Sequence, residues 1–130
     1  MKENILVRYL EGKLSSSHIE PITKEYLIGV FSKFKEPSWG LPHESIVLLF
    51  IDASSSYNFV KLQNLGDWIL FQESFYKTKN RDINIEFGKR SFDQCFKMTR
   101  RQIRVYEELA DNLQYIIDET SKNLLIDNKK

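Results

Sequence analysis

Hydrophobic positions along this chain fall into blocks separated by short polar runs. The longest patterned block is Leu62 to Tyr76, L-Q-N-L-G-D-W-I-L-F-Q-E-S-F-Y. Leu62, Leu65, Ile69 and Tyr76 share one helical face, and Trp68, Phe71 and Phe75 form a second beside it. The run Trp68 to Phe71 leaves almost no side for water, and a helix apolar nearly all round is a buried one. The pattern therefore predicts a central helix, about 57–77, wrapped by the others. Asp67, Gln72 and Glu73 interrupt the run, so it falls short of the roughly 20 mostly apolar residues of a membrane span.

The flanking blocks read as further helices. Residues 2–14 fit a short helix through Leu6, Tyr9 and Leu10, or a strand through Ile5, Val7 and Tyr9; Ser15 to Ser17 then mark a loop. Ser17 and Glu20 match a capping box ahead of Pro21, which predicts a helix to about Lys35. Its inner face would hold Ile22, Tyr26, Leu27, Val30, Phe31 and Phe34. Pro37, Trp39, Gly40 and Pro42 make a loop, with Trp39 folding back as a lid. Ile46 to Ile51 are six apolar residues in a row, the length of a buried strand. No second convincing strand exists to pair with it, so a helix from about His43 is preferred, ending at Asp52 to Ser56. Asp82 is placed as the N-cap of the next helix, with Ile85, Gly88, Phe92, Cys95 and Phe96 on one face. Thr99 and Gln102 are placed at the opening of a last helix. Its stripe is Ile103, Tyr106, Ala110, Leu113 and Ile117, flanked by Leu109 and Ile116, with Glu107, Glu108, Asp111, Asp118 and Glu119 outward. Residues 127–130 are expected to fray, and residues 1–20 to be peripheral.

The fold class that follows is all-α: a compact single-domain bundle of five or six helices spanning 1–130. At 130 residues the chain suits one core. Nine Phe, six Tyr and two Trp are many for this size, so either the core is unusually aromatic or some rings face a partner or ligand. Nineteen basic against eighteen acidic residues give a net charge of +1, which supplies no overall attraction to nucleic acid or acidic membranes. The single Cys95 excludes an internal disulfide and fits a reducing compartment. Arg8 and Glu11 interrupt what would have to be a signal core. A cytoplasmic location is therefore expected.

Gly66 costs about 1 kcal/mol against alanine inside a helix, which points to close approach of a crossing helix. Asp67 beside it sits on a partly wet edge, bonds a backbone amide or an Arg, or serves as an acid in a pocket. Leu65-Gly66-Asp67-x-x-Leu70-Phe71, followed by Phe87-Gly88-Lys89-Arg90-Ser91-Phe92, resembles a group of small bacterial helical proteins. In these an L-G-D-x-x-L-F helix precedes one with aromatic-G-x-R-S-aromatic. The resemblance spans about residues 22–120 and implies a helical fold without an activity. It suggests that the helices of Gly66 and Gly88 cross where both lack side chains. Arg90 would then meet Asp67 in a partly buried pair that fixes the crossing register.

No catalytic constellation or cofactor motif is found. His18 and His43 stand apart from any metal-ligand spacing. Cys95 shares the face of Phe92 and Phe96 and is expected to be buried and inert. Lys97, Arg100, Arg101 and Arg104 form a basic cluster. It reads as an anion or acidic-partner patch, as a solvated edge, or as part of a helix-turn-helix over 82–118. The outward acids of the last helix would repel a duplex, so nucleic acid is disfavoured. Phe50, Trp68, Phe71, Phe75 and Phe92 are the walls of a bundle pocket for a small apolar ligand, or ordinary core. The function expected first is a non-catalytic protein-interaction module, self-associating or binding another protein. A binder of a small apolar ligand is the alternative, and an enzyme using Asp67 comes last.

Overall fold

A computed structural model describes residues 19–34, 45–76 and 78–128, and side chains within 19–32, 45–76 and 78–121. Five helices run through them: α1 Pro21–Phe34, α2 Ile46–Ser55, α3 Phe59–Phe75, α4 Arg81–Met98 and α5 Arg104–Asn128. No strand occurs among the described residues. The fold is all-α. The readings placed on residues 2–17, on His18, on the loop with Trp39, on His43 and on residues 129–130 lie outside the described residues, as do the Phe34 side chain and the Ser17 cap.

The chain divides into two compact units, Met1–Leu41 and Pro42–Lys130. In the first, α1 starts at Pro21 as the proline predicts. The Glu20 carbonyl accepts from the amides of Thr23 and Lys24, at 3.0 and 3.1 Å. Thr23, Leu27, Val30 and Phe31 are buried, as is Ile19 just before the helix. Ile22, expected on the inner face, is 54% exposed. Thr23 takes the inward position instead, because it lies four residues before Leu27, and Leu27 four before Phe31.

In the second unit α3 and α4 pack on each other and both pack on α5, while α2 lies against α3 and α4. The long apolar stretch is the buried helix that its pattern predicts: Leu62, Leu65, Gly66, Trp68, Ile69 and Leu70 are all inside. Ile85, Gly88, Phe92 and Cys95 face it from α4. Tyr106, Leu109, Ala110, Leu113, Ile116 and Ile117 complete the core from α5. Ile103, expected in that stripe, is 46% exposed because it precedes the helix.

The glycines explain how α3 and α4 approach. A Cβ on Gly66 would lie 2.8 Å from Cζ of Phe92, and one on Gly88 would lie 2.8 Å from Cδ2 of Leu113 and 3.0 Å from Cγ2 of Ile69. The two glycines do not meet each other. Phe92, one turn past Gly88, sits on Gly66; Ile69, one turn past Gly66, sits on Gly88. Each helix offers a side chain to the other's gap, so register is set by two seats rather than by bare backbone.

Helix ends differ from expectation for local reasons. α2 ends at Ser55, within the Asp52 to Ser56 stretch expected to stop it. The Ser45 hydroxyl accepts from the Leu48 amide at its start. At its end the Ser56 hydroxyl donates to the Asp52 carbonyl at 2.7 Å. Tyr57 then turns left-handed (φ 52°), the Tyr57 amide donates to the Ser54 carbonyl and the Asn58 amide to the Ala53 carbonyl. This is a Schellman stop, with tyrosine where glycine is usual. Asn58 also caps α3, its side-chain oxygen accepting from the Lys61 amide at 3.0 Å. Asp82 is not a cap; Asn80 holds that position, and Asp82 lies in the first turn of α4, where its charge suits the helix dipole. Thr99 closes α4 rather than opening α5. Its hydroxyl donates to the Phe96 carbonyl at 2.8 Å. Arg100 and Arg101 follow in the left-handed region (φ 57° and 59°), and their amides donate to the Lys97 and Phe96 carbonyls.

Candidate functional site

Among the described residues, the side chains able to do chemistry lie in two buried places and on two exposed ones. The first buried place is the α3–α4–α5 junction. Asp67 is 4% exposed, Cys95 fully buried and Tyr106 6% exposed. The Gln63 amide donates to the Tyr106 hydroxyl at 2.7 Å, and the Tyr106 ring stacks on Phe92 and takes the edge of Phe59. Burial, followed by the negative charge of Asp67, pushes the Cys95 thiol up to about 12. Burial also raises Tyr106 to about 12, with help from Cys95 and Asp67 and against the Gln63 hydrogen bond. Thiol and phenol therefore stay protonated at neutral pH, and an uncharged thiol is a poor nucleophile.

These shifts carry a pH prediction. The Cys95 thiol has an ordinary value of 9.0 and a folded value near 12. Between these the unfolded chain sheds a proton that the folded one keeps, so stability is full below pH 9 and falls as pH rises toward 12. Urea unfolding midpoints across that window are expected to decline, and less steeply in Cys95→Ala. A midpoint that rises from pH 9 would count against the burial assigned to this junction.

The expected Asp67–Arg90 pair is not made. Arg90 points outward, its side chain 59% exposed, with Nε 3.5 Å from Glu86 one turn earlier and its guanidinium over the Phe87 ring. The reason is helical phase. Ser91 and Phe92 occupy the inward positions of that turn, which leaves Arg90 on the wet side.

The second buried place escaped sequence reasoning. Glu73 is fully buried at the end of α3. Its Oε1 accepts from the Thr78 hydroxyl at 2.7 Å, and its Oε2 from the side-chain amides of Asn84 at 3.0 Å and Gln72 at 3.1 Å. Arg81 donates to the Glu73 carbonyl and to Asp118 of α5, both at 2.7 Å, and Asp118 also accepts from Gln114. One carboxylate thus ties the end of α3, the turn and the start of α4, and Arg81 carries the tie to α5. The only signal in the sequence is a Glu flanked by apolar residues, Ile69-Leu70-Phe71 before it and Phe75 after it.

The five rings proposed as ligand walls enter different contacts. Phe50 meets Phe87 at 5.1 Å, Trp68, Phe71, Phe75 and Tyr76 form a chain of neighbouring rings, and Phe92 fills the Gly66 seat.

On the surface, α2 is held by Phe50, Ala53 and Ser54, the last exchanging hydrogen bonds with Gln94 of α4. Its other side shows Val47, Leu48 and Ile51, at 40%, 57% and 54% exposure, and the chain continues with exposed Tyr57 and Val60. Asp52 and Lys61, paired at 2.8 Å, are also exposed here. The basic cluster is partly neutralised: Lys97 pairs with Asp93 at 3.0 Å and Arg104 with Glu107 at 3.7 Å. Arg100 and Arg101 are exposed and have no acidic partner among the described residues. Among the described residues no helix is long and apolar enough to cross a membrane. No protein-family model, curated protein or solved structure matches the chain.

Proposed function

We propose that this chain is a non-catalytic protein-interaction module that self-associates through the outer side of α2, in the cytoplasm. The observation that carries this reading is the exposure of Val47, Leu48 and Ile51 on one side of a ten-residue helix. An exposed apolar face of this kind marks an interaction site. Its neighbours suit a second copy, because Asp52 and Lys61 put one acid and one base together and like faces then meet without net repulsion. The reading of the interior as non-catalytic rests on Cys95 and Tyr106 being buried and held protonated. The lone buried thiol accords with a reducing compartment.

The complex is weak. Covering a half-exposed aliphatic side chain contributes roughly 1 kcal/mol, and association costs about 4–15 kcal/mol. Light scattering coupled to size exclusion is expected to show a mass that climbs from one chain toward two as concentration rises. Leu48→Glu, a change at an exposed helical position, is expected to hold the mass at one chain with an unchanged unfolding midpoint. A wild-type mass fixed at one chain up to high concentration would overturn self-association.

A further inference from the structure

The turn between α4 and α5 carries charge that the rest of the fold does not use. Thr99 caps α4, and Arg100 and Arg101 follow with φ 57° and 59°, a region that costs an L-residue about 1–2 kcal/mol and that glycine enters freely. The amides of Arg100, Arg101 and Gln102 are all engaged with carbonyls of Lys97, Phe96 and Thr99. The backbone therefore has no donors left for an anion, and recognition falls to the side chains. Those of Arg100, Arg101 and Gln102 are exposed, as is Ile103 at 46%. The nearby acids are already committed, Asp93 to Lys97 and Glu107 to Arg104.

We infer that the Arg100–Arg101 turn docks a short acidic segment of a partner protein, two carboxylates meeting the two guanidinium groups while Ile103 offers an apolar edge. A planar guanidinium takes a carboxylate in a paired, directional contact. A short peptide fits better than a long polyanion, because Glu107, Glu108 and Asp111 follow along α5 and would repel a continuous phosphate backbone. The inference does not depend on the α2 face.

The test is fluorescence anisotropy of a labelled oligoglutamate peptide with the full chain, at about 0.15 M salt and again at about 1 M. Paired Arg100→Gly and Arg101→Gly substitutions remove the charge and place glycine where the backbone favours it. They are expected to weaken binding about tenfold while leaving the unfolding midpoint at or above wild type. Paired Arg100→Lys and Arg101→Lys substitutions keep the charge but not the paired geometry, and are expected to bind more weakly than wild type and more tightly than the glycine pair. Leu48→Glu should bind the peptide normally, which separates this site from the self-association face. Equal binding by wild type and the glycine pair overturns the assignment, as does no peptide binding at all. Tighter binding to duplex DNA or to phosphatidylserine vesicles than to the peptide also overturns it, because the turn would then recognise phosphate.

Discussion

Glu73→Ala is expected to destabilise the protein by about 3 kcal/mol, the largest loss among the polar side chains described. Deleting the carboxyl strips the acceptor from Thr78, Asn84 and Gln72 at once. A donor left buried and unpaired costs about 1–3 kcal/mol. Gln72 and Asn84 are only half-buried and recover part of this through water, which keeps the total near the lower end of the sum. Helix propensity works the other way, because alanine is the better helix former. Glu73→Gln keeps the shape and one acceptor oxygen and is expected to cost about half as much. Urea unfolding with an unchanged denaturant slope reads both losses. A loss below about 1 kcal/mol for the alanine variant would mean that the network is wetter than its burial indicates.

Gly66→Ala is expected to destabilise by about 2 kcal/mol, where the same change at an unconstrained helical site would stabilise by about 1 kcal/mol. The sign is the informative part. Three atoms of the Phe92 ring lie 2.8 to 3.0 Å from the added methyl. The ring is fully buried and stacked on Tyr106, so it has little room to withdraw. Gly88→Ala is expected to destabilise as well, though less, because one of its two close contacts is the free end of Leu113, which can rotate, while Cγ2 of Ile69 at 3.0 Å is fixed by its branched Cβ. Thermal or urea unfolding of the two variants side by side checks the order.

Much of the architecture was legible because helical periodicity reports burial directly. The stripe from Tyr106 to Ile117 and the double face from Leu62 to Phe71 needed only spacing. Ile46 to Ile51 was legible as a helix but not as a surface one, since six consecutive apolar residues carry no phase to say which side is covered. Boundaries were less legible because one residue type serves two ends. Thr99 has the chemistry of an N-cap, yet its hydroxyl serves the helix behind it. The left-handed stops at Tyr57 and Arg100 lack the glycine that normally announces them. Of the candidate sites, Asp67 was noticed for its glycine neighbour. The pairing with Arg90 failed because one residue of phase separates the inner and outer sides of α4. Glu73 was read only as a break in the apolar run, whereas its three donors come from Gln72, the following turn and the next helix.

The claim on which the rest leans is that α3 and α4 are locked by two reciprocal seats, Phe92 on Gly66 and Ile69 on Gly88. The proposal that function lies at the surface rests on that packing. A double-mutant cycle of Gly66→Ala with Phe92→Leu tests it most directly. Leucine withdraws the ring tip, so the cost of Gly66→Ala is expected to shrink by at least about 1 kcal/mol in that background, or to change sign. An identical cost of Gly66→Ala in both backgrounds would contradict the account.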